Sequence, residues 1–239
     1  MIGGYCMFKE HDQLLAVEDE MILWRYMDFS KFVNMLTTDC IWFNRIDKFE
    51  DKYECTYPSA NKIKRKEIYG DTTPIPQEIY DAIEGYGKNR LFVSCFHCNE
   101  YESSAMWKIY SKDAGVAIKT TAKRLKDCFN NEERDIEITK VCYIDFDKDF
   151  MPEGNVFYWG MHKRQSFEYE KEVRCFFLNQ DTIIDVPGVY ITVDFAKLVE
   201  EIYISPDAPS YMQFTVENLL KRFGYNIPVI KSQLYELNR

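Results

Sequence analysis

The stretch Phe167-Glu168-Tyr169-Glu170-Lys171-Glu172-Val173-Arg174-Cys175-Phe176-Phe177 decides how the rest of the chain is interpreted. It ends in apolar residues that favour β-structure, so it is predicted to be a strand whose side chains alternate between two faces. One face then carries Glu170, Glu172 and Arg174. The other carries side chains suited to a core, namely Tyr169, Val173, Cys175 and Phe177. Two carboxylates beside a guanidinium are costly unless something neutralises or uses them, so the strand is a candidate wall of an active site.

The composition is that of a folded protein. The chain has 239 residues, of which 46% are hydrophobic and 16% aromatic, and this excludes a disordered chain. No repeat, low-complexity tract or Gly/Ser/Pro-rich linker divides it. We therefore expect a single domain over 1–239, with an N-terminal extension (1–20), a core (21–204) and a C-terminal helix and strand (205–239).

Charge and cysteine usage indicate the compartment and restrict the partners. The formal net charge of −9 argues against nonspecific attraction to nucleic acid or to an anionic membrane. No basic start followed by a long apolar run is present, and no apolar stretch is long enough to span a bilayer. The eight cysteines are scattered, which is typical of free thiols in a reducing compartment. A cytoplasmic location is the expectation.

Hydrophobic periodicity predicts an α+β protein, because strands outnumber long helices and alternate irregularly with them. The predicted strands are 21–26, 41–43, 90–96, 115–119, 136–143, 190–193, 202–204 and 228–230. Helices are predicted at 63–69 and 76–86, joined through 71–75, and at 104–111 and 212–223. Asp28 or Ser30 can cap a further helix after the first strand. The strand at 136–143 is expected to pair with the acidic strand.

The acidic strand has two interpretations. A carboxylate held beside a sugar's anomeric carbon can stabilise the positive charge that develops there, and a second carboxylate can orient or deprotonate the acceptor. Alternatively, Glu170, Glu172 and Arg174 form a solvated face whose charges pair with neighbouring strands. The spacing alone favours the solvated face.

Two other groups of residues could bind a ligand. On a helix, Met106, Trp107 and Tyr110 lie together and form either part of the core or a platform for a planar heterocycle such as nicotinamide. Arg25 is a lone cation in an apolar strand. It is either a ligand for phosphate or carboxylate or half of a salt bridge, with Glu172 as a candidate partner.

Several other kinds of site lack support in the sequence. Cys95 and Cys98 form one C-x-x-C pair, but no second pair follows at zinc spacing. The three histidines do not accompany a recognisable nucleophile motif. There is also no Gly-rich phosphate loop and no dinucleotide-binding fingerprint.

Four segments between about residues 23 and 177 resemble an uncharacterised bacterial family, domain of unknown function 2971, and occur in the same order along the chain as in that family. Trp24-Arg25-Tyr26 resembles its opening strand, and Phe49–Glu54 is similar to its F-N-D-P-F-E loop, with Glu50 for Asn and Lys52 for Pro. The two longer blocks are Ser94-Cys95-Phe96 followed by Met106-Trp107-x-x-Tyr110 and Gly115, and Lys163-x-x-x-Phe167-x-Tyr169-Glu170-x-Glu172-x-Arg174, with Phe167 for Trp.

The chain more distantly resembles ADP-ribosyltransferases, by the order and type of its residues. That resemblance implies a split, mostly antiparallel sheet flanked by helices, with NAD as substrate. Arg25 would anchor the ribose or phosphates of NAD, Ser94 or Tyr110 would occupy the middle position of the cofactor site, and Tyr110 or Trp107 would stack on nicotinamide. Glu172 would stabilise the oxocarbenium-like state, and Glu170 would assist the acceptor. With this likeness the acidic strand is interpreted as functional.

The sequence thus leads to a hypothesis and two alternatives. The hypothesis is an NAD-dependent ADP-ribosyl or related glycosyl transferase whose acceptor is a protein, a nucleic acid or a small molecule. The first alternative is a non-catalytic binding or regulatory module, in phage defence or stress response, with Glu170 and Glu172 tied up by basic residues and no cleft. The second is a metal-dependent hydrolase, which needs Asp47, Glu50, Asp51 or Glu54 to converge on the acidic strand.

Overall fold

The structure is a computed structural model that describes residues 12–70, 75–111, 114–130, 132–180 and 185–236. Most of the predicted N-terminal extension (1–11) and of the segment between two predicted helices (71–74) lies outside these residues. The strands are β1 Ile22–Asp28, β2 Cys40–Arg45, β3 Leu91–Cys98, β4 Gly115–Thr121, β5 Glu137–Lys140, β6 Cys142–Ile144, β7 His162–Arg164, β8 Glu172–Leu178, β9 Gly188–Thr192, β10 Glu201–Ile204 and β11 Val229–Lys231. The α-helices are α1 Phe29–Thr38, α2 Ser59–Tyr69, α3 Gln77–Arg90, α4 Ser104–Tyr110, α5 Ala122–Cys128, α6 Phe157–Met161, α7 Phe195–Leu198 and α8 Met212–Arg222. Among the described residues, 3₁₀ helices span Ile46–Lys48 and Gln165–Glu170.

The main sheet is mixed but almost wholly antiparallel, which confirms the predicted α+β class. Its order is β11-β10-β4-β1-β3-β2-β9, with β8 paired to β3 and β5 paired to β8. Among the described strands of this sheet, the β10–β11 pair alone is parallel. Of the predicted strand at 136–143, residues 137–140 pair with the acidic strand as expected, with Ile138 opposite Cys175, whereas residues 142–144 form β6 outside this sheet. Strands β6 and β7 form a separate parallel pair.

The sheet is split along one edge of β3, as the sequence predicts. Along its other edge β3 pairs with β8 from Leu91 to His97. The split edge is shared by two strands. β1 pairs with the end of β3, where Trp24 lies opposite His97. β2 pairs with the start of β3, where Asn44 lies opposite Val93. Residues 94–96 of β3 therefore have no cross-strand partner on this edge.

Helices cover both faces of the sheet, and the alternation of β3 divides the core between them. Phe92 and Phe96 face the larger core, which also contains buried residues of α1, α5, α7 and α8. Leu91 and Val93 face a second core, where α6 contributes Trp159. A smaller cluster on α4 packs against β1 and β4. The apolar side chains of β8 predicted for the core (Val173, Cys175 and Phe177) do lie in the larger core.

The acidic strand begins later than predicted. The ladder with β3 ends where Glu172 lies opposite His97, so the residues before Glu172 have no strand partner there. They form the 3₁₀ helix that contains Glu170, which ends at Lys171 in the left-handed conformation with φ 41°. Glu170 is therefore not a strand residue. Tyr169 is 47% exposed, so its predicted place in the core is wrong.

Local signals fix several element boundaries. Asp28 caps α1, because its side chain accepts a hydrogen bond from the Lys31 N–H at 2.9 Å. The sequence does not predict the seven-residue helix α5, which begins after the Thr121 cap. In the part of the chain that the structure describes, no helix has the length and apolarity needed to cross a membrane.

Alanine substitutions at two glycines of α3 test how that helix packs. A Cβ at Gly87 would lie 2.3 Å from a ring carbon of Trp159, whereas a Cβ at Gly85 would meet nothing within 4 Å. We expect Gly87→Ala to lower the free energy of unfolding by about 1–3 kcal/mol through overpacking. The control Gly85→Ala should raise it by up to about 1 kcal/mol through helix propensity. Urea denaturation measures both, and equal shifts would contradict this packing of α3 on α6.

Candidate active site

One ammonium group bridges the two carboxylates of the acidic segment. Lys163, on β7, donates to Glu170 at 2.5 Å and to Glu172 at 2.6 Å. All three side chains are buried. Because an isolated buried charge is strongly unfavourable, each of these groups depends on the others for its ionised form.

A second cation extends the network away from Lys163. Arg174 is fully buried; its Nε donates to Glu172 at 2.6 Å, and its two terminal nitrogens bind both oxygens of Glu54 at 3.0 and 2.7 Å. The site thus holds the carboxylates of Glu54, Glu170 and Glu172 against two cations. If all were ionised, one negative charge would remain in excess.

The excess falls on Glu170. Burial, together with the hydrogen bond and charge of Glu172, raises the pKa of Glu170 to about 7 despite the opposing effect of Lys163. Burial alone would also raise the pKa of Glu172, but Arg174, the hydrogen bond with Glu170 and Lys163 together hold it well below its usual range. Two neighbouring carboxyl groups therefore differ in charge at neutral pH, and such a pair can divide the roles of proton carrier and permanent anion.

Tyr110 connects this network to the surface. Its hydroxyl donates to Glu170 at 3.0 Å, and 39% of the residue is exposed. Burial of the hydroxyl and the charge of Glu170 raise the pKa of Tyr110, so the phenol stays protonated. Tyr110 is therefore a partly exposed residue in direct contact with the buried Glu170.

The position of Tyr110 follows from the packing of α4. Ser103 caps the helix, and Met106 and Trp107 bury the inner side against Trp24 and Tyr26 of β1. Trp107 is 1% exposed, and its indole N–H donates to Glu102 at 2.9 Å. Trp107 is therefore a core residue in this structure, and of the two aromatic residues predicted to stack on a ligand, Tyr110 is the one that is partly exposed.

Arg25 occupies the split in the sheet. Its guanidinium donates to the hydroxyl of Ser94 and to the carbonyl of Trp42 at 3.3 Å, and it lies over the ring of Phe96 at 5.3 Å. Among the described residues no carboxylate forms a salt bridge with it, so the alternative of an Arg25–Glu172 salt bridge is wrong. Burial lowers the pKa of Arg25, as expected for a cation without a counter-charge.

The register places Arg25 and the carboxylates on opposite faces of the sheet. Directly opposed residues of an antiparallel pair project to the same face. Ser94, which Arg25 contacts, lies opposite Cys175 of the larger core, whereas Glu172 lies opposite His97 on the other face. The structure thus brings Tyr110, Glu170 and Glu172 together and leaves Arg25 with Ser94 at the split.

Lys163 and His97 are the site residues that the sequence pattern does not assign a role. Lys163 stands seven residues before Glu170, on a different element, so no periodicity connects the two. His97 lies 2.6 Å from the carbonyl oxygen of Glu170. In the sequence it lies within the C-x-x-C pair, which suggests only a zinc ligand. The one feature of the sequence that connects Lys163 with the two glutamates is the block from Lys163 to Arg174, of which all three are part.

The convergence required by the metal-dependent alternative is met only in part. Glu54 and Glu172 converge on the same cations and not on an open site. Arg174 donates to both carboxylates, and Lys163 lies 3.6 Å from Glu54. Within the described ranges, no group of three or more His, Cys, Asp or Glu side chains is arranged to hold a metal ion.

Comparisons with known proteins add a weak structural likeness. No family model matches the chain, so the resemblance to domain of unknown function 2971 is not supported, and no curated protein matches either. A solved structure of DarT from Thermus sp. 2.9, in complex with ADP-ribosylated ssDNA, is similar with a TM-score of 0.41 and 9% identity, over 92% of this chain and 97% of that chain. A likeness at that score is too weak to assign an activity.

The raised pKa of Glu170 predicts a specific pH dependence of stability. The ordinary value is 4.5 and the folded value is about 7, so the folded state binds more protons between these values. The stabilisation from this group is complete below pH 4.5 and is lost as the pH rises through 7. Glutamine cannot ionise. The free energy of unfolding of Glu170→Gln should therefore rise relative to that of the wild type between pH 5 and 8, by on the order of 2 kcal/mol.

Denaturant unfolding at several pH values measures this difference. His97 and His162 also contribute to the pH dependence of the free energy of unfolding. Both are present in the wild type and in the variant, so their contributions cancel in the comparison. The matched control is Glu168→Gln, at an exposed position of the same 3₁₀ helix, which removes a carboxyl group outside the Lys163 network. A flat difference for Glu170→Gln would show that Glu170 ionises normally.

Proposed function

We propose that the protein is an NAD-dependent ADP-ribosyl transferase. The observation that carries the proposal is the pair Glu170 and Glu172, two carboxyl groups with opposite pKa shifts that share Lys163, with the partly exposed Tyr110 in contact with Glu170. Transfer of a glycosyl group needs a fixed anion near the anomeric carbon and a second group that can accept a proton. The acceptor is a protein, a nucleic acid or a small molecule.

In the proposed reaction the bond between the ribose C1′ and the nicotinamide nitrogen breaks, and nicotinamide leaves with the bonding electrons. Glu172, held ionised by Lys163 and Arg174, stabilises the positive charge on the ribose. The acceptor atom then bonds to C1′, and its proton passes to the carboxylate of Glu170. Because Glu170 acts as a base, the rate should rise with pH through about 7.

Arg25 and the aromatic residues are assigned to binding. A guanidinium without a counter-charge is suited to the phosphates or the ribose of the nucleotide, and Ser94 orients it by accepting one of its hydrogen bonds. Tyr110 would stack on the nicotinamide, with Trp107 beneath it as support for α4. Because Arg25 and Glu172 lie on opposite faces, we infer that the nucleotide passes through the split in the sheet.

A non-catalytic binding or regulatory module is the second candidate. The observation that favours it is that Glu170 and Glu172 are buried and already paired with Lys163 and Arg174. In such a protein these charges would only hold the fold together. The two candidates differ in one measurable respect, namely whether the wild-type protein consumes NAD.

The variant Glu172→Gln tests the catalytic assignment. Loss of the fixed anion should reduce nicotinamide release about 100-fold or more, by analogy with the loss of one preorganised charge-stabilising group. Saturating NAD should also raise the melting temperature of the wild type. The exposed control Glu168→Gln should keep the wild-type rate. If the wild type neither releases nicotinamide nor is stabilised by NAD, the second candidate replaces the first.

The variant Arg25→Lys tests the binding assignment. Lysine keeps the charge but loses the planar donors, so we expect the KM for NAD to rise about tenfold with little change in kcat, as for a group that binds ground state and transition state alike. Arg222→Lys, at an exposed position of α8, is the control. A fall in kcat without a change in KM would contradict the role of Arg25 as an anchor.

A further inference from the structure

The buried imidazole of His97 contacts the backbone of Glu170. His97 lies on β3, opposite both Glu172 of β8 and Trp24 of β1. Its Nδ1 is 2.6 Å from the carbonyl oxygen of Glu170. A carbonyl oxygen can only accept a hydrogen bond, so Nδ1 carries the proton and donates.

The other ring nitrogen has no comparable contact. Nε2 is buried and has no hydrogen-bond partner within the described residues. Burial lowers the pKa of His97, so the ring is neutral and Nε2 retains an unsatisfied lone pair, which is unfavourable. The bond from Nδ1 is therefore the polar contact through which this imidazole acts on its surroundings.

Glu170 depends on such a contact because its segment lies outside the sheet. It ends the 3₁₀ helix just before Lys171, which adopts a left-handed conformation. The end of β3 holds two successive carbonyls of this segment. His97 binds that of Glu170, and the backbone N–H of Cys98 binds that of Lys171 at 2.9 Å. A shift of this backbone would move the Glu170 carboxyl relative to Tyr110 and Lys163.

We propose that His97 is a positioning residue whose Nδ1–H fixes the Glu170 carbonyl and thereby holds the Glu170 carboxyl between Tyr110 and Lys163. This role deepens the proposed function and rests on it, since the placement serves catalysis only if Glu170 receives a proton. The tether itself can be measured without any activity.

Two substitutions separate the ring nitrogens of His97. Asparagine can place its amide nitrogen near the position of Nδ1, so His97→Asn keeps the donor to Glu170, while its amide oxygen replaces Nε2 as the second polar atom. Glutamine places its amide near the position of Nε2, so His97→Gln loses that donor. Both variants lose the edge contact of the imidazole with Tyr26, whose ring centroid is 6.0 Å away. A difference between them therefore reports the tether and not the bulk of the ring.

The first measurement uses stability alone. Glu170→Gln is introduced into the wild type, His97→Asn and His97→Gln, and the shift in denaturation midpoint that it causes is compared at pH 5 and pH 8. The charged and titratable groups that face Glu170 (Lys163, Glu172 and Tyr110) are the same in each background. We expect the shift to grow with pH in the wild type and in His97→Asn, and to grow by less than about half as much in His97→Gln. Equal growth in both variants would overturn the proposal.

The second measurement uses nicotinamide release. We expect kcat to stay within about threefold of the wild type in His97→Asn and to fall at least tenfold in His97→Gln, with the KM for NAD unchanged. If the wild type has no activity but the midpoint pattern holds, the proposed function fails and the positioning role stands. If His97→Gln does not fold, His97→Asn decides: retention of the pH-dependent shift supports the tether, and its loss overturns it.

Discussion

A single ammonium group between two buried carboxylates constrains this fold. Lys163 lies on the small β6–β7 sheet, while Glu170 and Glu172 belong to the 3₁₀ helix and to β8 of the main sheet. Arg174 extends the network to Glu54, in the segment after β2. Because each ion is buried and satisfied by the others, these segments can only assemble together, and removal of one member would leave an uncompensated charge.

The same network explains why two adjacent glutamates behave differently. Both cations contact Glu172, whereas Glu170 shares only Lys163 and adds a hydrogen bond from the neutral phenol of Tyr110. The surplus negative charge therefore falls on Glu170, which is close to half-protonated at neutral pH. A permanent anion beside a group that can take up a proton is the combination that glycosyl transfer requires.

On each face of the sheet one charge lacks a counter-charge, and these two charges have opposite signs. On one face Arg25 is a cation without a salt-bridge partner in the described residues, and on the other the carboxylates outnumber the cations by one. A nucleotide that carries phosphates at one position and develops positive charge on its ribose at another would complement both. At the split, residues 94–96 of β3 have no strand partner on that edge, so no ladder of backbone hydrogen bonds closes the sheet there.

The class of fold and the core face of β8 could be predicted from local sequence, because the alternation of Val173, Cys175 and Phe177 is a local property of a strand. The grouping of Glu172 with Tyr110 came from a resemblance, and in the structure Tyr110 contacts Glu170, which shares Lys163 with Glu172. Where the acidic strand begins depends on tertiary structure, since it is set by where β3 ends beside it. The pairing of each cation with its carboxylate depends on tertiary structure as well. Lys163 pairs with residues seven and nine positions away and Arg174 with one 120 positions away, and such pairings follow from the packing of elements and not from any period in the sequence.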